Sequence, residues 1–275
     1  MISYSKWYEK IKIHLSNYKK NELKIEKDGI WVGNKKRYGH ILPKENAESN
    51  YLSDISRNAL PKKERHKYWY HLNSSQTLCV NFFAPLIGVE NGKYLNELLS
   101  KIVGKKVIFL KTDKSPKFEH VPRKHSTNFD FYFKDTNTNE YFFEIKYTEA
   151  GISESGGGSN PSNAFKEYYE EDVQNNPIFK NVSKDMFMNK HFQAYRNMVK
   201  GVGGNYSIFI TMKNNKATYD ELQKALADLK VKETPNIIIL YWEELIETTL
   251  DIVKANKSLE DYYKNFKKKY IPEIY

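Results

Sequence analysis

The chain has 275 residues, which is enough for one large domain or two small ones with a full hydrophobic core. Its formal net charge of +10 at pH 7 suits a protein that contacts phosphate backbones, although a Lys-rich proteome gives its proteins the same balance. The single cysteine, Cys79, excludes a disulfide framework and a thiolate zinc site. Since the sequence has neither a long apolar run nor a signal-like N-terminus, we expect a cytoplasmic protein without membrane contact.

Residues 1–86 are predicted to form a mainly helical N-terminal region. A second helix of this region, within residues 72–86, is expected to end at Pro85 because proline interrupts helical hydrogen bonding. The first helix, within residues 1–25, is indicated by apolar side chains at helical spacing: Trp7, Ile11, Leu15 and Tyr18.

Two basic clusters of this region, 35–37 and 62–71, lie beside or among aromatic residues. This combination suits contacts with the backbone and bases of a nucleic acid. We therefore take Lys36 and Arg37 as candidate nucleic-acid contacts, and an ordinary solvated turn is the alternative.

The centre of the chain is predicted to be a β-hairpin. Before it come a helix at 95–103 and two β-rich stretches at 106–110 and 118–121. In the hairpin, Phe129, Phe131 and Phe133 alternate with polar or amphipathic residues, and the polar segment 135–139 forms the turn.

The register of this hairpin brings two acidic residues together. If Lys134 faces Glu140, Asp130 faces Glu144, and Lys146 lies diagonally beside them. Two opposed carboxylates raise each other's pKa unless a cation lies between them, and hard oxygen ligands suit Mg²⁺. The pattern therefore predicts a metal site with an ammonium group beside it, and an ordinary cross-strand charge cluster is the alternative.

The rest of the chain continues the alternation of helices and strands. The Gly- and Ser-rich segment 150–163 lacks the spacing of a phosphate-binding P-loop. Motifs of zinc hydrolases, serine hydrolases and dinucleotide-binding folds are missing from the sequence. Further helices and strands are predicted at 165–172, 183–199, 206–212 (strand), 219–229, 237–241 (strand), 242–253 and 259–270, the last being a basic helix.

Asp130, the Glu144-Ile145-Lys146 run and the hairpin between them resemble the PD-(D/E)xK nuclease superfamily, whose fold many restriction endonucleases share. Phe129 stands where the superfamily motif has proline. The resemblance implies an α/β fold with a restriction-endonuclease-like core, in which helices flank a central mixed β-sheet behind an N-terminal helical region. Residues 87–275 would then form the catalytic domain, with a basic C-terminal helix, and residues 1–86 a region that contacts DNA.

The resemblance also implies roles for individual residues. Asp130, Glu144 and the carbonyl of Ile145 would hold Mg²⁺, for which Mn²⁺ could substitute. Lys146 would orient and help deprotonate the attacking water, or stabilise the charge of the transition state. A third acidic ligand would be Glu119, favoured over Glu97. A further residue implied is Gln193, on a helix packed behind the Glu-x-Lys strand. Arg123 and Lys124, at the tip between the segments that carry Glu119 and Asp130, would then face the nucleic acid, and a plain solvated turn is the alternative.

The function implied is a Mg²⁺-dependent endonuclease that hydrolyses DNA, most simply duplex DNA, as a type II-like restriction or defence enzyme. A homodimer would suit the cutting of palindromic duplexes. The alternatives are a nuclease of another class, in repair, recombination or RNA-directed defence, and a non-catalytic nucleic-acid-binding protein on the same fold.

Overall fold

The structure of the chain is a computed structural model, and it describes residues 2–109, 111–112, 115–121, 128–152 and 161–272. Two compact units make up the chain: unit 1 is Met1–Ile108 with Tyr241–Tyr275, and unit 2 is Phe109–Leu240. The division predicted at residues 86 and 87 does not coincide with this one, because both residues lie inside a helix of unit 1. The assignment of functions to 1–86 and 87–275 stays a prediction.

The α-helices are, in chain order, α1 (Tyr4–Asn21), α2 (Asp54–Ala59), α3 (Ser75–Gly88), α4 (Lys93–Val103), α5 (Pro161–Tyr168), α6 (Glu170–Asn175), α7 (Phe192–Met198), α8 (Lys216–Asp228), α9 (Trp242–Val253) and α10 (Lys257–Tyr270). The strands are β1 (Gly29–Ile30), β2 (Arg37–Tyr38), β3 (Lys117–His120), β4 (Phe129–Lys134), β5 (Glu140–Ile145), β6 (Tyr206–Thr211) and β7 (Ile237–Tyr241).

Unit 1 is mainly helical, and its first helix is built as its sequence pattern predicts. Trp7, Ile11 and Leu15 are fully buried along one face of α1. The side chain of Ser3 caps the helix by accepting a hydrogen bond from the Lys6 amide. The lysines of α10 are not a free basic surface, since Lys264, Lys267 and Lys268 pair with glutamates and Lys269 is buried.

Helix α3 continues past Pro85 to Gly88, so the expectation that Pro85 ends the helix is wrong. Proline has no N–H for the carbonyl four residues earlier, which here belongs to Asn81. The Tyr262 hydroxyl donates to that carbonyl oxygen at 2.6 Å. A side chain from α10 therefore replaces the hydrogen bond that Pro85 removes, and the helix is preserved.

Unit 2 is built on a five-stranded mixed sheet in the order β3-β4-β5-β6-β7. β3, β4 and β5 are antiparallel neighbours, and β5 pairs with β6 in parallel. This mixed sheet with flanking helices confirms the predicted α/β, restriction-endonuclease-like fold. The stretch 106–110 is not a strand where it is described, because only Phe109 forms a β-bridge, to Asp135.

The β4–β5 hairpin has the predicted register. Lys134 is paired with Glu140, and the ladder continues to Phe131 and Phe143. The turn is closed by the buried Asp135 side chain, which accepts hydrogen bonds from the amides of Asn137 and Asn139 and from the side chains of Asn139 and Tyr141. Turn chemistry therefore fixes the register of the strands.

Helices α7 and α8 cover the face of the sheet that includes Phe209 of β6, because Phe209 shares one buried apolar cluster with residues of both helices. Phe209 is paired with Glu144, so the Glu144 side chain lies on this helix-covered face. The single helix expected at 183–199 is wrong: a π-helical turn, Met186–Lys190, precedes α7, and His191 separates them. The His191 backbone does not continue a regular helix, and its buried ring contacts Asp228 at 2.7 Å.

Candidate functional site

The predicted acidic pair lies where the β4–β5 ladder ends. The last ladder pair is Phe131 with Phe143, and the same register places Asp130 and Glu144 next along the two strands. Asp130 Oδ2 accepts a hydrogen bond from the Ile145 amide at 2.6 Å. Beyond the last ladder pair, the Asp130 side chain thus accepts the hydrogen bond of the next β5 amide that faces β4. Because the N–H and C=O of one strand residue point to the same side, the Ile145 carbonyl is also directed toward β4.

Glu144 is buried and is held by two donors. Lys146 Nζ lies 2.9 Å from Oε1, and Asn197 Nδ2 donates to Oε2 at 2.7 Å. A carboxylate held on both oxygens has a fixed orientation, which a catalytic or metal-binding carboxylate requires. Lys146 itself is mostly buried, so its ammonium group is part of the same partly dehydrated cluster.

The pKa of Asp130 is raised well above its ordinary value. Burial is the largest cause, and the nearby carboxylates of Glu144 and then Glu119 raise the pKa further. Lys146 acts in the opposite direction without cancelling these effects. The Asp130 carboxylate therefore lies in a site that has more negative than positive charge.

The pKa of Lys146 is raised as well. Burial on its own lowers the pKa, but the carboxylates of Glu144, Glu149 and Asp130 outweigh burial. The amine is therefore protonated at neutral pH, and one ammonium group faces several carboxylates.

The two candidates for a third acidic ligand lie in different units. Glu119 belongs to β3, between Phe118 and His120, which pair with residues on either side of Asp130. Its φ of +49° interrupts the regular strand there, and its Oε2 accepts a hydrogen bond from Asn128 Nδ2 at 3.1 Å. Glu97 is an exposed residue of α4 in unit 1. Only Glu119 is thus a sheet neighbour of Asp130, and its role as a ligand stays a prediction.

The donor set suits a hard divalent cation. Two carboxylates and a backbone carbonyl are oxygen ligands of the kind that Mg²⁺ prefers, and the site has surplus negative charge for it to neutralise. Across the described ranges, no three His, Cys, Asp or Glu side chains are grouped so that they could hold a metal ion. The residues that could hold a metal ion here are Asp130, Glu144 and the Ile145 carbonyl, and water or substrate oxygens would complete the coordination of Mg²⁺.

Asn197 is a site residue that the sequence prediction missed. The α7 side chain that contacts Glu144 is Asn197. The predicted residue, Gln193, lies four residues earlier on the same helix and is half-buried. Residues four apart share one helix face, so the position of Gln193 was a usable signal for Asn197. Asn197 Oδ1 is buried without a hydrogen-bond partner among the described residues. The amide orientation is set by Glu144, because a carboxylate needs the NH₂ group.

Of the four predicted nucleic-acid contacts, two are exposed and two lie outside the residues that the structure describes. Lys36 and Arg37 are exposed in unit 1, where Arg37 Nη1 donates to the Asp28 carbonyl at 2.8 Å. Arg123 and Lys124 lie outside the described residues. The contact roles of all four stay predictions.

The mixed five-stranded sheet with flanking helices is a restriction-endonuclease-like fold, and two carboxylates and a lysine lie at the end of its β4–β5 hairpin. The family model described as Restriction Endonuclease associating with ARP (REase-ARP) matches residues 12–271, and the chain belongs to this family. Comparison with curated proteins and with solved structures gave no match. None of the helices in the described part of the chain is long and apolar enough to cross a membrane.

Proposed function

We propose that the chain is a Mg²⁺-dependent endonuclease of the PD-(D/E)xK type that hydrolyses DNA phosphodiester bonds as a restriction or defence enzyme. The observation that carries this proposal is the cluster in which Asp130 contacts the Ile145 amide while Glu144 contacts Lys146. Membership of a restriction-endonuclease family supports a nuclease role. The excess of carboxylates over cations supports a divalent metal ion at this place.

In the proposed reaction, Asp130, Glu144 and the Ile145 carbonyl would hold Mg²⁺. The bound ion would supply a water molecule of lowered pKa and would neutralise charge on the phosphate. Asn197 keeps the Glu144 carboxylate in one orientation through its 2.7 Å hydrogen bond. The protein thus contributes position and orientation for a hard cation.

Lys146 acts as a hydrogen-bond donor in this proposal. Its raised pKa keeps it protonated at neutral pH, and an ammonium group has three donors and no acceptor. It can therefore orient the attacking water and stabilise the negative charge that develops on the phosphate oxygens. Because Lys146 keeps its own proton in this state, the proton of the attacking water would pass to bulk solvent, and bulk solvent would protonate the leaving oxygen.

The test is cleavage of unmodified plasmid and phage DNA with Mg²⁺, beside EDTA and a Lys146→Ala variant. Lys190→Ala is the matched control, because Lys190 is an exposed lysine of the same unit that pairs with Asp228 away from the site. We expect wild type and Lys190→Ala to cut, and EDTA or Lys146→Ala to abolish cutting.

Cutting that persists in EDTA would refute the metal mechanism, and cutting by Lys146→Ala would refute the assigned role of Lys146. A folded protein that binds DNA, increasingly weakly as salt rises, but does not cut would favour the non-catalytic alternative. Cutting of RNA and not of DNA would assign the chain to another class of nuclease.

A further inference from the structure

An open cavity of about 550 Å³ lies in unit 2 beside β3, β4 and β5. A cavity of this volume is within the range of small-molecule sites. Rings line one part of it, called the aromatic wall, and charged and amide side chains line another, called the polar wall, beside three valines. The residues that matter for recognition are His120, Tyr132, Phe142, Asn175, Lys200 and Asn205.

The aromatic wall consists of three rings, beside the charged side chains of Lys117 and Glu140. The His120 ring stacks on Tyr132 with centroids 4.0 Å apart and an interplanar angle of 18°, and Phe142 packs against Tyr132 at 5.3 Å. These rings suit contact with another planar ring, such as a nucleobase.

The polar wall provides both donors and acceptors. Asn175 is exposed at the rim, and Lys200 pairs with Asp172 at 2.5 Å. Amide, ammonium and carboxylate groups together match the mixed donor and acceptor edge of a base better than they match an apolar ligand.

The cavity adjoins the proposed catalytic site. Tyr132 and Phe142 are paired across β4 and β5, and each is two residues from a carboxylate of the site, Asp130 or Glu144. Two residues of an antiparallel strand span about 7 Å, which is within the reach of one nucleotide. A phosphate at the carboxylates would therefore place a neighbouring base beside the aromatic wall.

We propose that this cavity, the base cavity, binds the nucleobase of a nucleotide next to the phosphate that is cut. This inference rests on the proposed nuclease function and deepens it. A base inside a duplex stack cannot enter such a cavity, so the substrate presents an unstacked base, either in a single strand or flipped out of the helix. The same chemistry would bind a free nucleotide.

The first test measures the binding of deoxynucleoside monophosphates in EDTA, with deoxyribose 5-phosphate as the ligand that lacks a base. Val202 lines the cavity, and Val202→Trp would fill it; Val231→Trp is the matched control, since Val231 is a half-buried loop valine of the same unit outside the cavity. We expect nucleotides to bind wild type and Val231→Trp, and to bind Val202→Trp at least about tenfold more weakly. Melting temperatures identify any variant that fails to fold.

A second pair of variants separates stacking from folding. His120→Phe keeps a ring on Tyr132, whereas His120→Ala removes it. Nucleotide affinity is expected to survive in the first variant and to fall in the second. Equal nucleotide affinity for Val202→Trp and wild type, equal affinity for the sugar phosphate and the nucleotides, or no nucleotide binding by the folded protein would each overturn the proposal.

Oligonucleotides distinguish a polymer base from a free nucleotide. An abasic site next to the cut should slow cleavage by wild type at least about tenfold and have little further effect in Val202→Trp. If abasic and intact substrates are cut equally by wild type, the cavity does not serve the polymer. Since nucleotide binding in EDTA needs no cleavage, a failure of the nuclease proposal would leave the binding result intact. Cleavage without nucleotide binding would overturn the base cavity alone.

Discussion

Asp130→Asn is expected to stabilise the protein in EDTA while abolishing cleavage. The substitution preserves the shape of the side chain and an oxygen that can accept the Ile145 amide hydrogen bond. It removes a buried charge that Glu144 and Glu119 repel. The physical reason is that a carboxylate proposed to hold a cation destabilises the fold when the cation is absent.

The magnitude follows from the charges around Asp130. Two unit charges about 5 Å apart repel by about 3 kcal/mol at an effective dielectric constant of about 20, and attraction to Lys146 offsets one such repulsion. The cost of burying the Asp130 charge and the repulsion by the second carboxylate are not offset. We therefore expect Asp130→Asn to raise the free energy of unfolding by about 1–3 kcal/mol at pH 7. For a chain of this size, this corresponds to about 2–4 °C in melting temperature for each kcal/mol.

The gain should depend on pH with a definite sign. The unfolded carboxyl titrates near pH 3.9, and the folded pKa of Asp130 is raised above that value. Between the two pKa values the folded state binds more protons, so the wild type loses stability as pH rises through this window. The advantage of Asp130→Asn should therefore vanish below about pH 4 and be complete above the folded pKa.

The assay is thermal or urea unfolding in EDTA and in millimolar Mg²⁺. Mg²⁺ should stabilise the wild type by binding the folded state, and should have little effect on Asp130→Asn. Asp228→Asn is the control with the opposite expected sign, because Lys190 and His191 lower the pKa of Asp228 and its charge is favourable. If Asp130→Asn melts below wild type in EDTA, as Asp228→Asn should, the electrostatic account of the site is refuted.

Three further predictions concern single contacts. Asn197→Ala should slow single-turnover cleavage about 10–100-fold without changing DNA affinity, because Glu144 loses the donor that orients it; unchanged cleavage would contradict this. Burial lowers the pKa of Lys269, so wild-type stability should rise from the folded pKa up to about pH 10.4, and urea unfolding of Lys269→Met should lack that rise. Tyr262→Phe should cost about 1–3 kcal/mol in urea unfolding, because it leaves the Asn81 carbonyl without its donor; a loss near zero would mean that another donor satisfies it.

The local features of the fold could be predicted from the sequence, and the non-local ones could not. Alternating aromatic residues and a polar turn predict the β4–β5 hairpin and its register, because both signals lie within one short segment. Helix α3 continues past Pro85 because of a tyrosine 181 residues away in the chain. The contact of the buried His191 with Asp228, 37 residues later, is non-local in the same way. Local propensity contains no information about such partners.

In the candidate site, too, the residues placed by local spacing could be predicted and the residue placed by packing could not. Asp130, Glu144 and Lys146 could be selected because their spacing on paired strands brings their charges together. The sequence could not identify Asn197 rather than Gln193 as the contact of Glu144. Either residue of that helix face could reach the strand, and only packing decides between them.

The turn determines the geometry of the site from the other end of the hairpin. Because strand side chains alternate between faces, a slip of one residue would move Asp130 or Glu144 to the opposite face of the sheet. Asp135 is fully buried and accepts four hydrogen bonds, all from residues 137–141 of the turn and the following strand. These bonds are satisfied together only when Lys134 pairs with Glu140, and the same register places Asp130 beside Glu144. The opposed carboxylates, and hence the cation proposed to bind them, therefore depend on a buried aspartate that lies outside the proposed site.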